Sequence, residues 1–173
     1  MIGVSFADLG AASGELRKNY TSQFWRRTAI RALAATVDGI IFGVKQLALA
    51  SAGLIGTPLD DKEKEFLSEQ PISSKRKKVR FLPFRDNFEQ TFKLLAKVHR
   101  TSCYTNFSGK GFDALCRTFE LRHRVMHPKS FMTFCVQDDE TKRAGDAIDW
   151  RHRELQRLLD ASHDSLGKIT HPS

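Results

Sequence analysis

The longest regular pattern in this sequence is a run of apolar residues at helical spacing from Thr21 to about Ala52, which predicts one long helix. Thr21 or Ser22 can cap its beginning, and Gly53 with the segment Gly56-Thr57-Pro58 favours its end. Because the helix is apolar over most of its circumference, we expect it to be buried on more than one side. The positions that carry the pattern are Phe24, Ile30, Leu33, Val37, Ile40, Ile41, Val44, Leu47 and Ala48.

Four further segments have the spacing or the end signals of helices, at about 60–68, 83–104, 112–127 and 138–163. No segment alternates between apolar and polar residues for long enough to predict a convincing strand. The best strand candidate is Phe131–Val136, and a single short strand would have no partner. The sequence therefore predicts an all-α fold, an up-and-down bundle of four main helices and one short extra helix.

The predicted helices belong to one domain at residues 20–166. Residues 1–19 are mostly small and polar, which predicts a flexible N-terminal segment, and 167–173 form a short C-terminal tail. A basic run, Lys75–Arg80, follows Pro71. We interpret this run as a linker between helices, because neither side of it could form a stable domain alone.

The charge balance of the chain indicates a polyanionic partner. Lys and Arg number 28 against 20 Asp and Glu, which gives a formal net charge of +8. Such an excess favours RNA or DNA before membranes, because it raises the rate of encounter with a negatively charged polymer. Many basic proteins bind no nucleic acid specifically, so the charge alone does not assign a function.

Cysteine usage and hydropathy predict a cytoplasmic protein. Three cysteines at wide spacing, without a C-x-x-C pair, favour neither a disulfide framework nor a zinc knuckle and indicate a reducing compartment. The N-terminus lacks the basic start of a signal peptide. The apolar stretch 30–55 is interrupted by Arg31, Asp38 and Lys45. Because charges are costly at the centre of a bilayer, we expect no membrane span.

A short cationic motif near the predicted end of the fourth helix carries the clearest chemistry, in the segment Leu121-Arg122-His123-Arg124-Val125-Met126-His127-Pro128. Arginine is a permanent cation whose planar fork suits phosphate oxygens. Histidine is the side chain that accepts and donates protons near neutral pH. Together Arg122 and His127 could hold a phosphodiester and move its protons without a metal ion. The motif therefore predicts a candidate RNA-cleaving site.

Five positions correspond to about 140° of rotation on an ideal helix, so Arg122 and His127 would face different directions. Both can reach one phosphate only if His127 lies where Pro128 unwinds the helix end. The structural alternative is an arginine bonded to helix carbonyls and a histidine that caps the helix. His123 precedes His127 by four residues, a spacing that zinc sites also use. Because no Glu or Cys is placed to complete a tetrahedral site, we predict no metal.

The motif, its position and the order of the helices resemble the HEPN superfamily of bacterial RNases and toxin-like proteins. Members of that family are helical bundles that carry an arginine, a polar residue, several further residues and a histidine. The matching residues here are Arg122, His123 and His127, followed by Pro128, and the resemblance covers roughly residues 20–166. In some members an antitoxin modifies a tyrosine two positions after the histidine, where this chain has Lys129.

The resemblance implies a homodimeric, metal-independent endoribonuclease without a cofactor, in which two motifs face one cleft. The RNA 2′-hydroxyl would attack the adjacent phosphorus and leave a 2′,3′-cyclic phosphate and a 5′-hydroxyl. His127 would act as general base or acid, Arg122 would stabilise the transition state, and His123 would position the RNA or assist the proton relay. Such an enzyme fits a toxin–antitoxin or phage-defence system, with an antitoxin or another defence protein as partner.

Two other classes of function stay open. One is a non-catalytic HEPN-like module that dimerises or binds RNA or another protein. The other is a DNA-binding regulator. The sequence shows no helix-turn-helix spacing, which argues against this class. The phenylalanines at 84, 88 and 92 follow a helical spacing, and we assign them to the core or to a dimer interface.

Further site residues are predicted outside the catalytic pair. Asp38 lies in an apolar helix and should need a cationic partner; if that partner is Arg122, Asp38 would orient the catalytic arginine. Arg31 lies on the same side of the long helix as Asp38, but it is seven residues away and cannot readily touch it. The basic run can be a solvated loop or a groove that follows the RNA backbone. The residues predicted to contact RNA are Lys75, Arg76, Lys77, Lys78, Arg80, Arg124 and Lys129.

Overall fold

The computed structural model describes residues 6–69, 82–101, 105 and 107–170, and the chain is helical through most of these ranges. They contain no strand, so the prediction of an all-α helical fold is confirmed. In chain order the helices are α1 (Phe6–Lys18), α2 (Gln23–Ile55), α3 (Asp61–Ser68), α4 (Phe84–Val98), α5 (Lys110–Met126), α6 (Phe131–Phe134) and α7 (Asp138–Thr170).

The best strand candidate of the sequence forms the short helix α6 instead. A reciprocal cap at its first turn explains the difference. The Thr133 N–H donates to Oγ of Ser130 at 3.3 Å, and the Ser130 N–H donates to Oγ1 of Thr133 at 2.9 Å. These two bonds satisfy backbone donors that a helix start leaves without partners.

The N-terminal segment contains a helix that the sequence analysis did not predict. α1 occupies most of the stretch that was expected to be flexible, and its Leu9 and Ala12 side chains are buried. These two residues lie three positions apart and therefore share one face of the helix. Glycines at positions 10 and 14 obscured this pattern, because glycine is less favourable than alanine in a helix by about 1 kcal/mol.

By its internal contacts the chain divides into two compact units. The first unit comprises Met1–Ile40 and Asn106–Arg153, and the second comprises Ile41–Thr105 and Glu154–Ser173. The chain therefore passes between the units three times: within α2, between positions 105 and 106, and within α7. The single domain that the sequence predicts for residues 20–166 stays a prediction.

In the first unit, the beginning of α5 lies very close to α7. Phe112 of α5 is fully buried, and its ring centroid lies 5.3 Å from that of Trp150. At the preceding residue, Gly111, an added Cβ atom would come within 2.3 Å of Cδ1 of Trp150. A side chain larger than hydrogen at this position would push the two helices apart, so the close approach requires glycine.

Two polar side chains from the start of α2 hold the segment between α6 and α7. Nε2 of Gln23 donates to the Val136 carbonyl at 2.9 Å, and the Val136 N–H donates to Oε1 of Gln23 at 2.8 Å. Arg26, only 6% exposed, donates to the same carbonyl at 2.8 Å and to the Tyr20 carbonyl at 2.7 Å. Its Nη2 also lies 2.5 Å from Oδ1 of Asp138. We refer to the contacts of Gln23 and Arg26 with Val136 as the Val136 clamp.

We expect Arg26→Met to lower the free energy of unfolding by about 1.5–3 kcal/mol, because it removes charge-assisted hydrogen bonds to two carbonyls. Urea denaturation measures this loss. Arg143→Met is the matched control: Arg143 is 42% exposed and pairs with Asp139 on the same helix. Its loss should cost less than about 1 kcal/mol. Equal effects of the two substitutions would contradict a stabilising role for the clamp.

In the second unit, two lysines attach the end and the start of α3 to other helices. Lys45 of α2 is only 3% exposed, with Nζ 2.9 Å from Oε1 of Glu69 and 4.1 Å from the centroid of the Phe66 ring. Lys97 of α4 places its Nζ 2.6 Å from Oε1 of Glu63. A buried ammonium group needs such partners, since an unpaired charge in the interior is very costly.

Two of the three phenylalanines of α4 lie in the interior of the second unit, and the third, Phe84, is half-buried. Phe88 and Phe92 are each 4% exposed, which confirms their assignment to the core. The ring centroid of Phe88 lies 5.7 Å from that of Phe84 and 4.6 Å from that of Phe92. One continuous aromatic row therefore covers the buried face of the helix.

His99, the C-cap residue of α4, is buried with an unpaired ring. It is 1% exposed, and neither ring nitrogen has a hydrogen-bond partner among the residues that the structure describes. Its backbone carbonyl accepts a hydrogen bond from Oγ of Ser165. Burial lowers the pKa of His99, since the charged imidazolium is disfavoured away from water.

We expect His99→Phe to weaken the dependence of stability on pH between about 7 and 5. In the unfolded chain His99 binds a proton below about pH 6.5, whereas the folded protein resists that protonation, so acidification lowers the stability of the wild type. The measurement is urea unfolding at both pH values, with the exposed His152→Gln as control. If His99→Phe has the same pH dependence as the wild type, protonation of His99 does not differ between the folded and the unfolded state.

α2 is long and apolar enough to cross a membrane, by length and composition alone. Of the most apolar 18-residue window of this helix, 44% is buried inside the protein. Because the core helix of a soluble protein has the same length and composition, this property does not distinguish the two environments. The cytoplasmic location stays a prediction.

Candidate functional site

The predicted motif lies at the C-terminal end of α5, which stops one residue before His127. His127 has φ −129° and ψ 61°, outside helical geometry, although its N–H still donates to the His123 carbonyl at 3.0 Å. Pro128 follows directly, and a proline disfavours helical geometry in the residue before it. The predicted unwinding of the helix at His127 is therefore confirmed.

His123 and His127 form a pair of exposed imidazoles. Their ring centroids lie 5.1 Å apart, and the ring planes are inclined by 54°. Both residues are exposed to solvent, where a substrate can reach them. Two imidazoles at this distance can serve one substrate as proton acceptor and proton donor. Across the described ranges, no group of three or more His, Cys, Asp or Glu side chains is placed to hold a metal ion.

Arg122 is half-buried and lies close enough to Asp38 of α2 for their charges to interact. Burial raises the pKa of the Asp38 carboxyl group, while the positive charge of Arg122 acts in the opposite direction and lowers it. No hydrogen bond in the described part of the chain joins Arg122 to Asp38 or to His127. The structure thus brings Arg122 near Asp38, and its convergence with His127 on one phosphate stays a prediction.

Asp38 and Arg31 both lie on exposed positions of α2. Asp38 keeps contact with solvent, yet the surrounding protein atoms shield its carboxyl group enough to raise the pKa. Within the described ranges Arg31 forms no ion pair with Asp38, in agreement with their separation of seven residues. Of the two cations considered for Asp38, Arg122 is therefore the one whose charge acts on it.

Arg124, which is predicted to contact RNA, forms hydrogen bonds within the fold. Its Nη2 donates to Oε2 of Glu140 at 2.7 Å and to the Cys135 carbonyl at 3.1 Å. These bonds fasten α5 to the first turn of α7. Because the guanidinium is committed to both partners, moving it to a phosphate would break a charge-assisted pair.

The remaining predicted RNA contacts are divided between exposed and undescribed positions. Lys129 is exposed two residues after His127. Its backbone N–H donates to Oγ1 of Thr133 at 3.1 Å, and its side chain takes no part in the cap of α6. The other five predictions lie outside the described residues and are not tested: Lys75, Arg76, Lys77, Lys78 and Arg80.

A concave region between α1 and α7 of the first unit was missed by the sequence analysis. This groove has a volume of about 340 Å³. Arg151 is buried there, and desolvation lowers the pKa of its guanidinium. The small residues of α1 were the available signal, because they leave open space beside the helix: a Cβ atom added at Gly10 or Gly14 would meet nothing within 4 Å. Among the residues that line the groove are Gly10, Ser13, Gly14, Arg17, Ile148 and Arg151.

Comparisons of the chain with protein-family models, curated proteins and solved structures find no match. The resemblance to the HEPN superfamily therefore rests on the motif and the order of the helices, and it stays a hypothesis. The observations on which a function can be based are the exposed pair of imidazoles and the half-buried arginine at the end of α5.

We expect Asp38→Asn to be at least as stable as the wild type at pH 7. A folded-state pKa above the unfolded value means that ionisation of Asp38 costs the folded state stability as the pH rises through that pKa. The amide removes this cost, so the advantage of the variant should disappear below about pH 4, where the wild-type carboxyl is protonated. Urea unfolding at the two pH values measures the difference.

The exposed Asp146 of α7 provides the control for this substitution. Asp146→Asn should show no comparable difference between the two pH values. If Asp38→Asn is instead less stable than the wild type at pH 7 and equal to it at low pH, the attraction between Asp38 and Arg122 outweighs burial.

Proposed function

We propose that this protein is a metal-independent endoribonuclease of the HEPN type. The observation that carries the proposal is the exposed imidazole pair, His123 and His127, at a helix end that also presents Arg122. RNA supplies its own nucleophile, the 2′-hydroxyl group. An enzyme that cleaves it therefore needs a proton acceptor, a proton donor and a cation more than it needs a nucleophilic side chain.

The charge of the surrounding segment supports a phosphodiester as the substrate. From Leu121 to Gln137 the chain has no carboxylate, and in addition to the two histidines it has the cations Arg122, Lys129 and Arg124, of which Arg124 pairs with Glu140. A phosphate group approaching His127 therefore meets attraction from this segment and no repulsion from within it. Asp38 lies outside the segment, and the charge of Arg122 lowers its pKa against the larger, opposite effect of burial.

In the proposed reaction, one imidazole removes the proton from the 2′-hydroxyl as its oxygen bonds to phosphorus. The second imidazole donates a proton to the departing 5′-oxygen, so the products are a 2′,3′-cyclic phosphate and a 5′-hydroxyl. We assign His127 as base or acid and His123 as its counterpart or as a positioning group for the RNA. Arg122 stabilises the additional negative charge on the phosphorus oxygens in the transition state.

The proposal includes a cytoplasmic homodimer whose two motifs face one cleft. A second copy would bring another set of the three site residues, which offers a route for Arg122 of one copy to meet His127 of the other. A toxin–antitoxin or phage-defence role, with an antitoxin or defence protein as partner, belongs to the same proposal.

A non-catalytic HEPN-like module is the second candidate, and one observation favours it. Arg122 acts electrostatically on Asp38, and no hydrogen bond within the described ranges connects it to His127. An arginine whose charge mainly compensates a neighbouring carboxylate would contribute to binding or folding more than to catalysis. Such a module would bind RNA or a protein without cleaving it.

The test is cleavage of labelled single-stranded RNA in the presence of EDTA. We expect wild-type protein to produce cyclic phosphate ends, and we expect Arg122→Ala and His127→Ala each to lower the rate by at least about 100-fold. Such a loss would reflect missing charge stabilisation and missing proton transfer.

Two variants control for the loss of a cation or a histidine in general. Arg117 lies on the same helix as the motif and is 66% exposed, and His163 lies on α7 and is 91% exposed. Arg117→Ala and His163→Ala should cleave at the wild-type rate. Wild-type rates in His127→Ala would contradict the catalytic assignment, and a folded wild type that cleaves no RNA would favour the non-catalytic module.

A further inference from the structure

Two large apolar side chains project into solvent directly after the motif. Phe131 is 79% exposed and Met132 is 73% exposed. They are the first two residues of α6, which begins four residues after His127. Single exposed apolar residues are common on protein surfaces, but two large adjacent ones next to a cationic site mark an interaction surface.

The other side of α6 is held firmly, so this exposure is fixed by the fold. Ser130 and Thr133 cap the helix reciprocally. The guanidinium carbon of Arg27 lies 3.8 Å from the centroid of the Phe134 ring, which attaches α6 to α2. Two residues further on, the Val136 clamp fixes the chain again. These contacts hold the chain on both sides of Phe131 and Met132, whose side chains lie in solvent.

The charges near this surface indicate the chemistry of its partner. Lys129 and His127 are exposed on the segment that leads into α6, and no carboxylate lies between Leu121 and Gln137. A polyanion that also presents flat apolar faces suits such a surface. An unpaired nucleotide has both properties, because its phosphate is negative and its base stacks on aromatic side chains.

The spacing along the chain also suits one short stretch of RNA. Phe131 lies four positions after His127, and this stretch spans at most about 14 Å even when fully extended. A strand with its phosphate at the motif therefore has a neighbouring base within reach of α6. In a duplex that base would be covered by its stacked and paired neighbours, so the surface selects an unpaired base.

We propose that Phe131 and Met132 form a stacking platform for an unpaired base of the RNA strand that the motif binds. The proposal rests on the proposed function, since it takes RNA as the ligand of the motif. It assigns α6 a role in substrate binding that is separate from the chemical step. Phe131 supplies the ring face, and Met132 supplies a polarisable contact at its edge.

The test is binding of a fluorescent single-stranded oligouridine with 2′-O-methyl groups, which cannot be cleaved by attack of a 2′-hydroxyl. We expect Phe131→Ala to bind at least about tenfold more weakly than the wild type, and Phe131→Trp to retain the affinity, because tryptophan also stacks. The matched control is Leu54→Ala, since Leu54 is 89% exposed and belongs to the second unit. It should bind like the wild type.

The salt dependence separates stacking from attraction by charge. Phe131→Ala should leave the slope of log affinity against log salt concentration unchanged, whereas Lys129→Ala should reduce it by about one if that lysine contacts a phosphate. A duplex of matching sequence should bind with no difference between wild type and Phe131→Ala. Met132→Ala should weaken single-strand binding less than Phe131→Ala does.

Three results would overturn the platform. One is an unchanged single-strand affinity in Phe131→Ala, and another is a wild type that binds no RNA. The third is a conversion from dimer to monomer in Phe131→Ala during sedimentation, which would show that a second copy covers α6. Failure of the nuclease proposal is distinguishable, since a protein that binds single strands through Phe131 but cleaves nothing keeps the platform and loses the enzyme.

Discussion

The buried backbone of Val136 is the constraint on which the first unit depends. Val136 is fully buried, and it lies in the short connection between α6 and α7, where no helix pairs its N–H and carbonyl groups. If these groups had no partners, each would cost about as much free energy of folding as a lost hydrogen bond. Gln23 supplies an acceptor and a donor at once, as a neighbouring strand would, and Arg26 adds a charged donor to the same carbonyl. The polar start of an otherwise apolar helix thus fixes a distant connection.

The position of the candidate site follows from this anchoring. Once the connection is held, Glu140 in the first turn of α7 is placed to accept hydrogen bonds from Arg124 and from the Gln137 N–H, at 2.7 Å and 2.9 Å. That pair fixes the end of α5, beyond which His127 leaves helical geometry beside His123. The same connection carries α6, whose first two side chains lie in solvent. Polar contacts in the interior therefore help to position His123, His127 and α6 at the surface.

Several elements could be predicted because their signals are local. The helical spacing of apolar residues identified five helices, and Pro128 correctly indicated that the helix ends at His127. α1 was missed because its buried face is carried by Leu9 and Ala12 among glycines, which weakens the pattern. The segment 131–136 is the best strand candidate of the sequence, though a strand there would have no partner, and a local cap from Ser130 and Thr133 favours a helix. At this position the hydrogen bonds between Ser130 and Thr133 decide the local structure.

By itself, the sequence determined that the chain is helical, that Phe88 and Phe92 lie on an apolar helix face, and that an arginine and two histidines follow one another closely near a helix end. These properties follow from periodicity and from the geometry of proline, which act within a few residues. Only the tertiary structure decided that Arg124 is committed to Glu140, that Arg122 acts on Asp38, and that α6 presents its apolar residues to solvent. Those outcomes depend on which residues, distant in the sequence, lie close together in the fold. The strength of an ion pair or a hydrogen bond depends on distance and on the exclusion of water, and a local sequence pattern contains neither.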